Sequence, residues 1–434
     1  MFRIYFSSNE SYTHEILKKV LDKYSSQVEL IDLKSSGGPI EYKDGSKTLL
    51  WLEYEDLPFN DIHISLSPTS NLYNSIFSCS YCIRKGLIRK AQNANSILHF
   101  TSKNPNSILK TGVPETWIFE LDGLDYLDEA LDECFEVRDC LEENVQITSG
   151  ETTAKKTNKF ILKPSMTNKG SGIHIFDSLD SLENILETEF SQETSDSEDE
   201  DVSQPVEWGA VTYNSSYSQL REFVIQRYID NPLLLKKYGN RKFHIRTYCV
   251  AISTIKVYVY RPMLALFASS LYDSDFKTPT NVFSHITNTH VQTENPEFDP
   301  NSVVHSFWDL ASSSPESSDI GPQDLENIYD QIKKLTGGIF DAVSSQPTNF
   351  QPWPNCFEVF GLDFLVDDSF NVFFLEANAY PDFKQTGDGL SQIIVGFLDS
   401  VSDLALSEFF MLDTETLSRS VSDLDLVLSK KLRG

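Results

Sequence analysis

Residues 357–378 read FEVFGLDFLVDDSFNVFFLEAN. Two apolar runs flank a polar turn at 367–370, which predicts a β-hairpin. We expect Asp363 to lie opposite Glu376 across that turn. Because side chains alternate faces along a strand, Asn378 falls on the same side as Glu376. The hairpin is therefore predicted to gather two carboxylates and one amide.

Opposed carboxylates repel each other, so a cation is expected between Asp363 and Glu376. Their oxygens, with that of Asn378, suit Mg2+ held partly by protein and partly by nucleotide phosphates. One alternative stays open at this point, because the strand register is inferred. One carboxylate could instead cap a loop or pair with an arginine.

Length and composition indicate a folded protein with two or three domains, since the chain has 434 residues and a hydrophobic content of 40%. We see no apolar stretch of membrane-spanning length and no signal peptide, so we expect a cytoplasmic protein, or one that is also nuclear, without a membrane partner. The six cysteines are scattered, which favours free thiols over a disulfide framework.

The formal net charge of -28 argues against a direct nucleic-acid partner. Nine acidic residues and no Lys or Arg lie between Glu187 and Glu207. That segment, about 187–207, has little apolar content at its centre. We expect it to be a disordered insert.

Hydrophobic periodicity predicts a first domain, small and open α/β, over about residues 1–75. In the first, strand-like alternation at 2–6 precedes helical spacing at 16–24, and a second alternation follows at 62–66. Elsewhere the patterns predict helices at 75–90 and 124–143, and strands at 160–162, 223–229, 243–250 and 256–260.

Lys163 ends an apolar strand and precedes a loop that contains Gly170 and Gly172. An ammonium group beside flexible backbone N–H groups can hold phosphate. The pattern matches neither a Walker motif nor a dinucleotide fingerprint, so a structural turn is the alternative.

Two further strands carry candidate residues. The segment from Gln226 to Ile229 could offer its backbone to an adenine ring, or could simply be a buried strand. Arg246 lies inside an alternating strand, where a buried cation requires an anionic partner. Asn288 belongs to the polar run 284–288, which could equally be a capped loop.

Together these features resemble the tubulin-tyrosine ligase family of ATP-grasp enzymes, and the likeness is greatest to fungal members. The match is close over about residues 155–390, and the family-like region extends over about 80–395. The segments that carry it are FILKPS (160–165), VIQRYI (224–229), RKFHIR (241–246), HITN (285–288) and the hairpin at 357–378.

The resemblance implies an α/β (α+β) ATP-grasp fold with a small N-terminal open α/β domain at 1–75, a central domain at 76–232 and a C-terminal mixed-sheet domain with the metal site at 233–434. It also implies ATP and Mg2+ as cofactors. By position, the implied metal ligands are Asp363, Glu376 and Asn378, and the implied catalytic residues are Arg246 and Asn288. The implied nucleotide contacts are Lys163, Gly170, Gly172, Gln226, Arg227, Tyr228, Ile229, Lys242 and His244.

The activity implied by the resemblance is that of a probable tubulin–tyrosine ligase. Such an enzyme would join a free amino acid, tyrosine or glutamate, to an acidic protein tail such as the C-terminal tail of tubulin, through an acyl phosphate. The alternative is a catalytically impaired nucleotide-binding scaffold associated with cytoplasmic mRNA-protein granules, as fungal relatives suggest.

Two positions depart from the family pattern. His244 stands where the family has aspartate, and Leu266 stands where it usually has an arginine that holds the amino-acid carboxylate. An acidic tail also needs a basic surface. The candidate basic clusters are 84–90, 155–159 and 236–242.

Overall fold

The computed structural model describes residues 2–43, 45–150, 156–166, 172–196, 221–276, 282–293, 295, 300–311, 319–386, 390–412 and 423–431. The chain forms two compact units. The larger unit comprises Met1–Ile88, Ser96–Val113 and Asn231–Gly434. The smaller unit comprises Arg89–Asn95 and Pro114–Asp230. The predicted boundaries of three domains stay a prediction.

The larger unit begins with a four-stranded parallel sheet in the order β2-β1-β3-β4. Its strands are β1 (Phe2–Phe6), β2 (Val28–Asp32), β3 (Lys47–Trp51) and β4 (Ile76–Ser78), with helices α1 (Ser11–Asp22), α2 (Leu33–Ser36) and α3 (Phe59–Ile64). Apolar residues of α1 at helical spacing pack against Ile4 and Phe6. The predicted open α/β arrangement is thus confirmed.

Two local predictions in this region are wrong. Ile62 lies in α3, where its side chain is fully buried, and the alternation at 62–66 forms no strand. The predicted helix at 75–90 instead contains β4, an irregular segment and the short α4 (Lys85–Ile88). A short run of alternating apolar residues fits a helix turn as well as a strand, which explains the first error.

A seven-stranded sheet forms the centre of the larger unit. Its strands are β9 (Phe243–Ile252), β10 (Lys256–Tyr260), β11 (Leu264–Phe267), β12 (Val304–Ser306), β13 (Phe357–Val366), β14 (Val372–Asn378) and β15 (Leu424–Ser429). All of its recorded pairings are antiparallel, which differs from the predicted mixed sheet. β9 pairs along its length with β13 and on its other side with β10 and β11.

Two long helices cover opposite faces of this sheet. Residues of α13 (Pro322–Ser344) pack with Ile245, Cys249 and Ala251 of β9. Residues of α14 (Ser391–Phe410) pack with Tyr248 and Val250 of the same strand. All ten residues of β9 are buried, so both of its faces are covered, although one face carries His244 and Arg246.

The hairpin of β13 and β14 has the predicted pairing of Asp363 with Glu376. The register is reached through a five-residue connection, 367–371, and a one-residue shift between Asp363 and Phe364. Such a bulge puts two residues opposite one and re-aims the side chains next to it. The carboxylates therefore meet because of a bulge that the sequence pattern did not predict.

The smaller unit contains a four-stranded antiparallel sheet in the order β5-β8-β6-β7. Its strands are β5 (Thr116–Leu121), β6 (Phe160–Pro164), β7 (His174–Phe176) and β8 (Arg221–Arg227), and its helices are α7 (Leu127–Glu133), α8 (Phe135–Ser149) and α9 (Leu179–Asp196). Phe119, Phe160, Phe176 and Phe223 supply much of its core.

Two predictions for the smaller unit need correction. The helix expected at 124–143 is interrupted at Cys134, which separates α7 from α8. The acidic insert, expected to be disordered over about 187–207, is helical as far as Asp196 because α9 continues into it. Residues 197–207 lie outside the described residues.

Five further helices are described, of which the first has 14 residues and the others have four or five. They are α5 (Lys90–Lys103), α6 (Leu109–Gly112), α10 (Val282–His285), α11 (Thr289–Thr293) and α12 (Pro300–Val303). Within the described ranges, we find no helix that is long and apolar enough to cross a membrane. All six cysteines are free thiols, as predicted.

Candidate functional site

One face of the seven-stranded sheet carries a row of side chains from neighbouring strands. Arg246 of β9 pairs with Leu264 on one side and with Asp363 on the other. Asp363 in turn pairs with Glu376 of β14. Directly paired residues of antiparallel strands project to the same face, so these four side chains form one line across the sheet.

Arg246 and Asp363 form a buried ion pair. The guanidinium donates from Nε to Oδ1 at 2.5 Å and from Nη2 to Oδ2 at 3.0 Å. Burial alone would raise the pKa of Asp363, but Arg246, with smaller effects of His244 and Asn378, holds that pKa below its ordinary value. The cation expected beside the carboxylates is therefore Arg246 in this structure, as in the alternative stated from sequence.

Gly361 makes room for this ion pair. It pairs with Tyr248 of β9 and with Asn378 of β14, two positions along the strand from Asp363. A Cβ atom at Gly361 would lie 2.9 Å from Cβ of Pro381 and 3.3 Å from Cδ of Arg246. Glycine inside a strand commonly marks such a close approach.

Asn378 supports Asp363 from the neighbouring strand. Its Nδ2 donates to Oδ2 of Asp363 at 3.4 Å, which is a long hydrogen bond. With the amide nitrogen turned toward Asp363, the amide oxygen is the atom of Asn378 that could meet a cation. Asp363 and Asn378 thus lie together, as predicted.

His244 lies on the same face, two residues before Arg246 and next to Leu266 of β11. Its Nδ1 is 2.6 Å from Oγ1 of Thr287, and its Nε2 is 3.7 Å from Oδ1 of Asp363. Burial lowers the pKa of His244, and Asp363 opposes that effect. The imidazole therefore lies beside the carboxylate row.

Lys242 lies two residues before His244 in the sequence, and Asn288 follows the threonine that contacts the imidazole. Lys242 is buried, and its positive charge acts on His244, lowering that pKa further. Asn288 is half-buried and directly follows Thr287, which contacts His244. The nucleotide contact predicted for Lys242 and the catalytic role predicted for Asn288 stay predictions.

Arg261 does not take the place of an arginine at Leu266. Its guanidinium binds Glu326 at 2.5 Å and lies over the ring of Trp308, with 4.2 Å between Cζ and the ring centroid. Leu266 is 3% exposed and packs in the apolar cluster with Tyr248 and α14. The β11 position paired with His244 is therefore a buried apolar side chain.

In the smaller unit, Lys163 is held near the end of β6. Its Nζ donates to Oε1 of Gln226 at 2.8 Å, and Nε2 of Gln226 donates to Oγ1 of Thr116 at 2.9 Å. Lys163 and Gln226 are both buried. This chain of hydrogen bonds gives the ammonium group a defined position from which it could meet a phosphate.

Gly172 follows the loop after β6 and has a φ of +68°. A Cβ atom there would lie 2.7 Å from Cγ of Pro164, so both the backbone angle and the space require glycine. The turn therefore packs closely on the strand that carries Lys163. Gly170 lies outside the described residues.

The side chain of Arg227 serves the smaller unit itself. It binds Glu115 through Nε at 3.1 Å and Asn158 through Nη1 at 3.0 Å, and its Cζ lies 4.8 Å from the centroid of the Phe160 ring. A nucleotide contact of Arg227 would therefore involve its backbone.

The backbone beyond β8 is the segment predicted to meet adenine. The N–H of Arg227 donates to the carbonyl of Glu115, and the N–H of Tyr228 donates to that of Lys159. These bonds hold the segment against its neighbouring strands. The adenine contacts themselves stay a prediction.

The residues of the hairpin fit Mg2+ by their chemistry. Asp363, Glu376 and Asn378 present hard oxygen donors at paired positions, and Mg2+ usually combines one or two carboxylates with substrate phosphates. In the part of the chain that the structure describes, no group of three or more His, Cys, Asp and Glu side chains is arranged to hold a metal by itself. The fit is therefore to a cation that arrives with a nucleotide.

Sequence reasoning missed Gly361, Thr287 and Thr116 as parts of the site. Gly361 had a usable signal, because a glycine inside an apolar strand two residues before Asp363 indicates a close approach. Thr287 lies within the polar run that the sequence singled out. Thr116 gave no signal, since its contact with Gln226 depends on the pairing of distant strands.

A profile of the Tubulin-tyrosine ligase family matches residues 77–412. The chain belongs to the tubulin-tyrosine ligase family. The matched region is wider than the span of about 80–395 expected from the motifs, and it contains the hairpin row and the strand of Lys163.

Fungal proteins are among the most similar relatives. The chain is 37% identical over 417 residues to "Probable tubulin--tyrosine ligase C12B10.04" of Schizosaccharomyces pombe, covering 95% of each chain. It is 36% identical over 415 residues to "Probable tubulin--tyrosine ligase PBY1" of Saccharomyces cerevisiae. That alignment covers 92% of this chain and 51% of the relative, so the chain spans about half of that protein.

A solved structure shares the fold. The crystal structure of the C-terminal domain of K. lactis Pby1 matches with a TM-score of 0.67 and 27% sequence identity, covering 99% of each chain. That protein is described as an ATP-grasp enzyme interacting with the mRNA decapping enzyme Dcp2. The chain therefore has the ATP-grasp fold that its motifs predicted, and ATP binding follows from that fold.

Proposed function

We propose that this chain is a ligase that uses ATP and Mg2+ to join an amino acid to a carboxylate of a protein tail. The observation that carries the proposal is the row of Arg246, Asp363 and Glu376 on one sheet face, with Asn378 beside it. Family membership and the ATP-grasp fold support the same reaction class.

The proposed reaction has two steps. The terminal phosphoryl group of ATP passes to a carboxylate oxygen of the acceptor, which gives an acyl phosphate and ADP. The amine of the amino acid then attacks the acyl carbon, phosphate leaves, and the nitrogen loses a proton. Most of the catalysis in such a reaction comes from positioning and from stabilising charge on the phosphoryl group.

Arg246 is suited to that task because Asp363 fixes its orientation through two hydrogen bonds. A fixed guanidinium can meet phosphoryl or acyl-phosphate oxygens without reorganising. Asp363, Glu376 and Asn378 would hold Mg2+, which offsets negative charge on the phosphates when bound. In the smaller unit, Lys163 would contact phosphate oxygens, and Gln226 keeps its ammonium in place.

The direct test is a ligation assay with ATP, Mg2+ and a panel of labelled amino acids that includes tyrosine and glutamate. We expect product from the wild type and at least about a hundredfold less from Asp363→Asn combined with Glu376→Gln. Asp368→Asn, at an exposed carboxylate in the same hairpin turn, is the matched control. Equal activity in the wild type and the double variant would contradict the proposal.

The proposed acceptor is an acidic protein tail such as that of tubulin, and the proposed compartment is the cytoplasm or also the nucleus. A basic surface is needed because the chain itself is acidic. Lys236 has an 80% exposed side chain, although Asp319 lies 3.2 Å from its ammonium. Arg241 donates to backbone carbonyls of Tyr238, Ala268 and Ser302. Lys236 and its neighbour Lys237 are therefore the better candidates for tail contacts.

A second candidate function is a nucleotide-binding scaffold without ligation. The buried apolar side chain of Leu266, with Arg261 bound to Glu326, favours it because an amino-acid carboxylate would lack an ion pair with either residue. The related K. lactis domain is described as interacting with a decapping enzyme. ATP binding by calorimetry without product from any amino acid would support the scaffold, whereas turnover would exclude it.

A further inference from the structure

The Nε2 atom of His244 is a buried polar atom without a hydrogen-bond partner among the described residues. The residue is 4% exposed, so Nε2 has little access to bulk solvent. Buried polar atoms nearly always have partners, and an exception calls for an explanation. Because the Nδ1 atom is engaged by Thr287 at 2.6 Å, the ring has a fixed orientation.

The orphaned Nε2 points toward Asp363. The distance from Nε2 to Oδ1 of Asp363 is 3.7 Å, too long for a hydrogen bond although both atoms are buried. A proton on Nε2 would favour a shorter contact with this carboxylate. Adjacent donors of an octahedral cation with bonds of about 2.1 Å lie about 3 Å apart, so the two atoms would close by less than 1 Å when they share a cation.

We propose that Nε2 of His244 joins Asp363 in binding the divalent cation that accompanies the nucleotide, and that this nitrogen makes the site prefer Mn2+ to Mg2+. The inference rests on the proposed nucleotide and cation binding. It goes beyond that function by adding a protein ligand and by naming the metal that the site selects.

The chemistry of the donors gives the direction of the preference. Mg2+ binds oxygen ligands almost exclusively, whereas affinity for sites with nitrogen ligands rises along the first transition series. Replacing one oxygen by an imidazole nitrogen therefore weakens Mg2+ more than Mn2+.

The charges that face His244 come from three strands. Asp363 of β13 and Glu376 of β14 are acidic, whereas Arg246 of β9 and Lys242 just before it are basic. Arg246 already neutralises much of the charge of Asp363. Asp363 alone is therefore a weak ligand for a cation, and Nε2 of His244 would add a second donor beside it.

Pulsed electron paramagnetic resonance provides the test. Protein labelled with 15N-histidine is mixed with Mn2+ and ATP, so that a 15N coupling to the manganese can come from a histidine and never from adenine. We expect this coupling in the wild type and in the matched control His305→Gln. His305 lies on β12 beside Phe267, on the other sheet face. The coupling should vanish in His244→Gln.

Calorimetry with each metal and ATP gives a second readout. We expect His244→Asp, which restores an oxygen donor, to shift the ratio of Mg2+ to Mn2+ affinities toward Mg2+ by roughly tenfold. Binding of ATP with Mn2+ but without 15N coupling would overturn the inference and leave the proposed function intact. Coupling that persists in His244→Gln would also overturn it. Absence of any ATP binding by the wild type would contradict the proposed function and this inference with it.

Discussion

At the scale of single residues, the site depends on how closely Arg246 and Asp363 approach. Both side chains are less than a tenth exposed. Removing one partner of a buried ion pair leaves an uncompensated charge, which typically costs about 3 to 5 kcal/mol. The pair therefore couples the stability of the sheet to the position of the guanidinium that the proposed reaction uses.

Gly361→Ala tests that coupling without touching either charge. The added methyl group would lie 2.9 Å from Cβ of Pro381 and 3.3 Å from Cδ of Arg246, so one of them must move. We expect a loss of about 1 to 3 kcal/mol in the free energy of unfolding, and a drop in ligation of about tenfold or more. Denaturant unfolding and the ligation assay measure the two effects.

Gly38→Ala is the matched control for that substitution, since no heavy atom lies within 4 Å of the position of its added Cβ. It should leave stability and ligation nearly unchanged. If Gly361→Ala behaved like Gly38→Ala, the close packing would not matter for Arg246.

Lys163→Met addresses the phosphate contact in the smaller unit. The variant keeps an unbranched apolar stem but removes the ammonium that Gln226 positions. A charge-assisted hydrogen bond is worth about 1.5 to 3 kcal/mol, so we expect ATP affinity to fall by about ten- to a hundredfold in calorimetry. Lys156→Met, at a 70% exposed lysine of the same unit, should bind ATP normally. Equal affinity of Lys163→Met and the wild type would exclude Lys163 from the nucleotide site.

At the scale of secondary-structure elements, short local features set the ends of helices and the turns that position the site. Asp32 illustrates this in the first sheet, because it caps α2 by accepting from the N–H of Lys34 at 2.9 Å. Burial alone would raise the pKa of Asp32, but Ser35, His14 and the Lys34 N–H hold it below its ordinary value. The carboxylate is thus stabilised in the folded state.

Asp32→Ala should reveal that stabilisation and its dependence on pH. A lost cap costs about 1 kcal/mol at neutral pH. Because the folded pKa is depressed, the contribution is present above the unfolded pKa of about 3.9 and is lost as pH falls through the lower folded value. The difference in unfolding midpoint between the wild type and Asp32→Ala should therefore shrink below about pH 4. Asp56→Ala, at an exposed carboxylate, should show no such pattern.

Several element types were predictable from the apolar pattern, but the long helix predicted at 75–90 was not found. Strand β1, strand β9 and the β13–β14 hairpin followed from their apolar patterns, whereas β2, β3 and β4 were not predicted. The strand predicted at 62–66 was wrong because three apolar residues fit α3 equally well. The bulge beside Asp363 could not be predicted, because it comes from the pairing of whole strands. The sequence predicted that Arg246 has an anionic partner, but it did not identify that partner as Asp363.

At the scale of the whole molecule, charge sets a condition on any acidic acceptor. The net charge is -28, so long-range repulsion opposes an acidic tail unless a local basic surface compensates for it. Lys236 and Lys237 form the exposed part of one predicted basic cluster. Added salt should therefore lower the affinity for an acidic tail, because it screens the charges of these two lysines.

Charge reversal at Lys236 and Lys237 tests this requirement. We expect Lys236→Glu with Lys237→Glu to weaken binding of an acidic tail peptide by about tenfold at low salt, and the wild type to lose affinity as salt is added. Fluorescence anisotropy with the labelled peptide measures both. Lys18→Glu with Lys19→Glu, at exposed positions of α1, is the control pair. Unchanged binding in the Lys236 and Lys237 variant would place the tail elsewhere.

The central claim is that the hairpin carboxylates bind a divalent cation together with a nucleotide. Calorimetric titration of ATP with and without Mg2+ tests it most directly, on the wild type, Glu376→Gln and the Asp368→Asn control. The account predicts Mg2+-dependent ATP binding by the wild type and the control, and a loss of that dependence in Glu376→Gln. ATP binding by Glu376→Gln with the same Mg2+ dependence as the wild type would contradict it.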